Sequence, residues 1–250
     1  MSRWFPSLVR KISIAADLGH SSFEEVDTWL IDLATDDTDL GLLDAPERQR
    51  ARSFKFAADR RRFIAGRSAV RRILADYSGI EAQFIELTAT PQGKPMFREG
   101  ALLHGKAISF NLSHSEDLAL LAVGKRQAVG IDVEIVRSIP ERIRLAQRYF
   151  TSSEIAELDA ARSDAEADAL FIQCWTRKEA VLKALGTGLH TPPRDIEVGV
   201  GTAEREVRLH DGTGNSTVRV RSLVPALPLC APATSAALAI LLDSTAGSSP

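Results

Sequence analysis

The stretch Phe171 to Leu189, FIQCWTRKEAVLKALGTGL, constrains this chain most, because a helix signal there carries charges that an ordinary core helix does not choose. Ser163 followed by Glu166 has the form of a capping box, and Gly186 and Gly188 follow the last periodic apolar residue. The spacing therefore predicts one helix from about Asp164 to Leu185. On a helical net, Phe171, Cys174, Trp175, Lys178, Val181, Leu182 and Leu185 fall on one stripe. Lys178 sits in its middle and requires a carboxylate, a phosphate or carbonyl oxygens, since an ammonium unpaired against apolar surface is costly or loses its proton. Glu179 and Lys183, four residues apart on the flank, form either an exposed ion pair or one wall of a cleft.

Upstream the period changes from helical to two. In AVGIDVEIV, Val129, Ile131, Val133 and Ile135 share one face of a strand, while Gly130, Asp132 and Glu134 share the other. Strand geometry sets the two carboxylates roughly 6.5 to 7 Å apart at the backbone. Such a pair is either a solvated face or a site for a cation between them. Hard oxygen ligands without thiolates or histidines favour magnesium or manganese. Phe110 to Ser115 ends an earlier strand with more polarity than a turn needs, and His114 within it is either structural or functional. Because the connections near Ser115 to Asp117 and Gly124 to Gln127 are short, Ala107 to Val136 reads as a three-stranded antiparallel meander.

Around these segments, Val26 to Leu33 reads as a strand or a short helix, and Leu40 to Phe54 and Asp59 to Tyr77 read as helices, the second stopped by Gly79. Pro91 to Pro95 reads as a turn. Helices follow over Pro140 to Phe150 and Ser152 to Ala161, the latter entered by a Thr151–Glu154 capping box. Strands are expected at Asp195 to Val198, Glu206 to His210, Val218 to Leu223 and Ala236 to Leu242, with a polar tail from Asp243. Helices and strands thus come in two rounds. The expected organisation is an extension over 1–22, two similarly built α+β halves over 23–130 and 131–243, each with a small antiparallel sheet on helices, and a tail over 244–250.

The hydrophobic content of 44% suits a chain with a real core, and the net charge of −2 hides a strong asymmetry. Between Arg48 and Arg72 stand nine arginines and Lys55 against Asp59 alone, a local charge of +9. Such a run is either a solvated helical face or a surface for anions. Cys174 and Cys230 are far apart and suggest reduced thiols in a cytoplasmic protein. No Cys/His cluster has zinc spacing. The first twenty residues lack an apolar core after their basic residues, and no apolar run approaches membrane length, so neither export nor membrane insertion is expected.

Three motifs occur in order: N-L-S-H-S ending at Ser115, G-I-D-V-E ending at Glu134, and W-T-R-K-E-A-x-x-K from Trp175 to Lys183. Together with P-E-R-x-R-A, D-R-x-R-F and G-K-P upstream, the chain from Val26 to Leu242 resembles the 4'-phosphopantetheinyl transferase superfamily, in its longer, monomeric class that activates peptide and polyketide synthases. The resemblance implies two α+β halves related by a pseudo-twofold, with coenzyme A in the cleft between them. It implies Asp132, Glu134 and Glu179 as an acidic trio around magnesium, Lys183 on the substrate phosphates, and Glu179 as general base. Ser113 and His114 match nucleotide-binding positions, His114 near the 3'-phosphate. Lys94 matches an adenine-side contact, Arg48 and Arg52 match basic residues for the 3'-phosphate, Arg62 matches an arginine at the nucleotide, and Lys178 belongs to the motif either as a coenzyme A phosphate contact or as a brace for the acidic cluster. The implied reaction moves 4'-phosphopantetheine from coenzyme A to a serine of an acyl or peptidyl carrier protein, with neither nucleic acid nor membrane as partner. A metal-dependent nuclease or a non-catalytic carrier-binding scaffold would use the same acids and arginines.

Overall fold

The computed structural model describes residues 9–12, 22–36, 38–89, 95–97, 102–103, 106–125, 127–186, 191–210, 214–223 and 233–246. Gly188 and Leu189, Cys230, the expected turn at Pro91 to Lys94, and most of the expected N-terminal extension lie outside the described residues. In chain order come β1 (Val9–Ile12), β2 (Val26–Asp32), α1 (Ala45–Ser53), α2 (Ala57–Ser78), β3 (Leu87–Ala89), β4 (Pro95–Phe97), β5 (Leu102–Leu103) and β6 (Lys106–Ala107). Then follow β7 (Ser109–Ser115), β8 (Leu118–Gly124), β9 (Val129–Ile135), α3 (Arg142–Tyr149), α4 (Ser152–Asp159), α5 (Asp164–Leu185), β10 (Arg205–His210), β11 (Gly214–Leu223) and β12 (Thr234–Ala246).

The class is α+β, with antiparallel sheets packed on helices. One four-stranded sheet has the order β1-β2-β8-β7 and the other β10-β11-β12-β9. A 22-residue helix lies against each. The first buries Ala65, Ala69, Ile73 and Leu74 of α2 with Ile31, Leu121 and Val123. The second buries Val181, Ala184 and Phe171 of α5 with Val218, Val220, Ala237 and Ala239. Both long helices end on a glycine in the left-handed region, Gly79 at φ 71° and Gly186 at φ 72°, where a side chain would be strained. The helix expected over Leu40 to Phe54 is split into a 3-10 turn at Leu40–Leu42 and α1. An Asp44–Glu47 capping box and Pro46 restart the helix there.

The three-stranded meander is corrected. Strands β7 and β8 pair as expected, but both edges of β8 are taken, by β7 and by β2, so no edge is left for β9. Strand β9 pairs instead with β12, with Ala237 opposite Asp132 and Ser235 opposite Glu134. Between β7 and β9 the link is made by side chains. Val129, Ile131 and Ile135 donate their backbone N–H groups to Ser109 Oγ at 3.3 Å, Asn111 Oδ1 at 2.8 Å and Ser115 Oγ at 3.2 Å. The period-two polar residues of β7 thus stand in for a backbone ladder and join the two sheets along one seam.

The strand expected at Asp195 to Val198 is also absent: Pro193–Asp195 is a 3-10 turn, followed by extended residues without a ladder partner. Their backbone groups are taken by side chains of α4 and α5 instead, as described below. Strand β12 runs on to Ala246, past Asp243, because its backbone keeps pairing with β11 as far as Gly214.

One contact sets the distance between α5 and the β9 seam. Gly130 faces the helix so closely that an added Cβ would stand 2.0 Å from the Ala180 carbonyl oxygen and 2.4 Å from the Ala184 nitrogen. Only a residue without a side chain permits that approach. Gly130→Ala is expected to push α5 off the sheet, destabilising the fold by about 1–3 kcal/mol or more and separating Glu179 and Lys183 from Asp132. A denaturant titration beside an activity assay checks this, and an unchanged midpoint would contradict the contact.

Candidate active site

The approach at Gly130 brings the flank of α5 over the acidic face of β9. Asp132 is buried, and its Oδ1 accepts from Lys183 Nζ at 2.6 Å and from the Ser113 hydroxyl at 2.7 Å. Lys183 also reaches Ser113 Oγ at 3.1 Å and the Ile131 carbonyl at 3.3 Å, so its ammonium is fixed between the seam strands. Glu134, two residues on, accepts from the Ser115 hydroxyl at 2.9 Å and lies 3.5 Å from Arg137. Glu179 is half-buried on the helix flank. Burial first, and then the charge of Asp132, hold its carboxyl above the usual range. Asp132 is likewise held above its usual range by burial, with Lys183 and Ser113 opposing and Glu134 reinforcing.

Two features bear on a cation. The second carboxylate oxygen of Asp132, Oδ2, is buried and accepts no hydrogen bond among the described residues. An orphaned buried oxygen of an acid calls for a ligand that the protein itself does not supply. Yet no three Asp, Glu, His or Cys side chains among the described residues are gathered at metal-ligand spacing. That combination fits magnesium better than a caged metal, because magnesium takes one or two carboxylates and completes its sphere with water and substrate phosphates.

Alternation along β7 separates the two residues of the Ser-His motif. Ser113 points to Asp132 and Lys183, whereas His114 is exposed and lines a second cleft of about 360 Å3. Arg50, Arg62, Arg67, Phe63 and Glu116 line that cleft with it. Arg62 is bound by Asp117 at 2.8 Å and Asp59 at 3.3 Å, and Arg67 lies 3.5 Å from Glu47. Arg50 has no carboxylate partner among the described residues and stacks 5.7 Å above the Phe63 ring. Although the residue is exposed, partial desolvation of its ring, and then the nearby Lys183, hold the His114 imidazole below its ordinary pKa. Arg48 and Arg52 do not line the cleft. Arg48 instead donates to the Leu43 carbonyl, and Arg52 is exposed at the end of α1. Lys94 lies outside the described residues. Arg50 and Arg67 were not singled out from sequence, because the run of arginines does not say which helix face the fold turns inward. The run is not simply solvated either: Arg71 is buried, paired with Glu47 at 2.8 Å and Asp44 at 3.5 Å.

Lys178 does not line the arginine-rich cleft. The side chain is wholly buried, paired at 2.7 Å with an equally buried Glu154, and donates to the carbonyls of Pro193, at 2.9 Å, and Ile196. Glu154, the capping-box acid of α4, also accepts from the backbone N–H groups of Val198 at 2.8 Å and Gly199 at 3.1 Å. Arg177 donates to the Val198 carbonyl at 3.0 Å. Arg177 and Lys178 of the motif therefore brace the segment 193–199 against α5, whereas its Glu179 and Lys183 lie toward the acids of β9. An unpaired charge left in that interior is costly. Lys178→Met or Glu154→Gln alone is expected to destabilise the protein by about 3–5 kcal/mol, the double variant by less than the sum. Glu154 is held below its usual 4.5, mainly by Lys178 against the opposing effect of burial. Its contribution is therefore present above about pH 4.5 and lost as pH falls through the lowered value, which unfolding midpoints against pH would follow.

An apolar groove of about 510 Å3 opens beside Glu134, lined by Ile139, Leu145, Tyr149, Phe171 and Trp175. No helix among the described residues is long and apolar enough to cross a membrane. A buried acid–lysine cluster is thus flanked by an arginine-lined cleft and an apolar groove. The family model described as 4'-phosphopantetheinyl transferase superfamily matches residues 128–239, and that described as 4'-phosphopantetheinyl transferase, N-terminal, matches residues 32–126. The 4'-phosphopantetheinyl transferase HetI of Nostoc sp. is 37% identical over 72% of this chain and 76% of its own length. The L-aminoadipate-semialdehyde dehydrogenase-phosphopantetheinyl transferase of Xenopus laevis is 32% identical over 64% of this chain and 55% of its own. The chain belongs to the 4'-phosphopantetheinyl transferase superfamily.

Proposed function

We propose that the protein moves the 4'-phosphopantetheine group of coenzyme A to a serine of an apo acyl or peptidyl carrier protein and releases 3',5'-ADP. The observation that carries this reading is the seating of Lys183 and Glu179 against buried Asp132, which Ser113 of β7 also contacts, with the basic cleft of His114 on the other face of β7. In this reading Arg50, Arg62, Arg67 and His114 bind the nucleotide end of coenzyme A. The apolar groove beside Glu134 takes the pantetheine chain. Asp132 would hold magnesium, with Glu134 and Glu179 as flanking acids and water and substrate phosphates completing its sphere, and the ion would neutralise pyrophosphate charge when bound. Glu179, with its raised pKa, takes the proton of the carrier serine as that oxygen attacks phosphorus. Lys183 holds and protonates the departing phosphate of 3',5'-ADP. The protein is proposed to act as a cytoplasmic monomer. The division into halves is proposed to fall before Val129, where the two family matches meet, since a boundary at Gly130 would cut β9.

Incubation with an apo carrier protein, coenzyme A and magnesium, followed by intact mass of the carrier, tests the reading: one added phosphopantetheine supports it and an unmodified carrier rejects it. In the same assay Asp132→Ala, Glu134→Ala and Glu179→Gln should each lose most activity. Glu179→Gln should at the same time stabilise the cation-free protein. Because the folded carboxyl is held above its ordinary 4.5, the unfolded chain releases that proton first. Stability therefore falls as pH rises through that window and stays lower above it. An amide removes the penalty, so a higher unfolding midpoint at pH 7 with little transfer is the expected pair of results.

The cleft assignment makes a separate prediction about dephospho-coenzyme A, which lacks only the 3'-phosphate. Charge-assisted hydrogen bonds of about 1.5–3 kcal/mol make the loss of that group worth at least about tenfold in kcat/KM. Arg50→Ala and Arg67→Ala should narrow the ratio between the two substrates, whereas Arg48→Ala and Arg52→Ala should leave it nearly unchanged. Equal rates on both substrates in the unsubstituted enzyme would remove the phosphate from this cleft.

A further inference from the structure

The two-residue turn between β7 and β8 ties three elements of the arginine-lined cleft together. Ser115 pairs with Leu118, leaving Glu116 and Asp117 to close the hairpin. Glu116 has φ 50°, the one positive φ outside glycine among the described residues. A side chain there is strained, and hairpins of this length ordinarily meet the requirement with glycine or asparagine. The turn holds Asp117 in two contacts. Its carbonyl accepts from Leu33 N at 2.7 Å, at the end of β2, and its carboxylate accepts from Arg62 Nε at 2.8 Å, on α2. The same strand that ends in this turn carries His114 into the cleft.

Asp117 does not itself line the cleft, but Arg62 does. A guanidinium has five N–H donors. Asp117 takes the Nε–H and Asp59 takes one on Nη1, so two acids fix the plane of the side chain and three of its N–H groups are not used by them. Asp117 is 46% and Arg62 28% exposed, which makes the pair a weak contributor to stability. Its effect lies in orientation, since a planar fork aimed in advance loses less freedom when it meets an anion.

We propose that Asp117 is a positioning residue for the nucleotide, acting through Arg62, and that the strained Glu116–Asp117 turn holds it in place for that task. The proposal rests on the coenzyme A reading of the cleft. Calorimetric titration with 3',5'-ADP and steady-state kinetics with coenzyme A test it in Asp117→Ala, Asp117→Asn, Arg62→Ala and the Asp117→Ala/Arg62→Ala double variant. Expected for Asp117→Ala are an unfolding midpoint near that of the unsubstituted enzyme, a kcat within about twofold, and a KM and a Kd for 3',5'-ADP each raised about tenfold. Asp117→Asn keeps the acceptor shape without the charge and should fall between the two. In the Arg62→Ala background the further loss of Asp117 should change either constant by less than about twofold, because its effect passes through the arginine. Equal 3',5'-ADP affinity in Asp117→Ala and the unsubstituted enzyme would overturn the proposal, as would a full additional loss on top of Arg62→Ala. If the unsubstituted enzyme itself does not bind 3',5'-ADP, the nucleotide reading of the cleft fails and this proposal falls with it.

Discussion

The close approach of α5 to β9 at Gly130 is the constraint on which the rest of the site depends. With backbone against backbone, the flank of the helix reaches the acidic face of the strand, and Lys183 spans from one to the other at 2.6 Å. Three further devices keep the helix there. The apolar stripe of α5 packs on β11 and β12, a glycine cap ends it, and the buried Lys178–Glu154 pair ties it to α4 and the segment 193–199. These are different forces with one geometrical result. Apolar burial supplies most of the attraction, and the ion pair contributes registry, since a charge without its partner has nowhere else to go in that interior.

At the seam the protein spends polar groups where a plain sheet would use its backbone. Ser109, Asn111 and Ser115 take N–H groups of β9, and Ser113 turns its hydroxyl to Asp132. A side-chain seam sets β7 beside β9 without a continuous ladder, so residues of both sheets can face one cluster. The acids collected there are held against their own preference: burial raises both Asp132 and Glu179, and one oxygen of Asp132 is left without a donor. Such local disfavour is stability given up to keep charge where chemistry needs it, and the packed core around Val129, Ile131 and Val133 offsets it.

The basic segment divides its arginines between structure and cleft. Arg71 joins α2 to the first turn of α1, Arg62 is held by Asp117 and Asp59, and Arg50 stands over Phe63 with no carboxylate partner among the described residues. Ion pairing of this kind reduces the field expected from a local +9 and aims what remains.

Local signals in the sequence determined a great deal. The bounds of α5, its Ser163 cap and Gly186 stop, the Thr151–Glu154 capping box, the face of β9 that carries Asp132 and Glu134, and the family itself were all legible, because caps, periods and motif order act over a few residues. What required tertiary structure was every choice between partners. The edge of β8 was already occupied, so β9 joined β12, a fact that no short loop could announce. Lys178 needed an anion, and sequence left carboxylate, phosphate and carbonyl open. Glu154 on another helix decided it, by lying in the same buried space. Arg50 and Arg67, rather than Arg48 and Arg52, came to line the cleft because the packing of α1 and α2 fixes which side of each helix faces inward. Sequence specifies which groups must find partners, and the folded chain decides which partner is near, because pairing depends on distances between segments far apart along the chain.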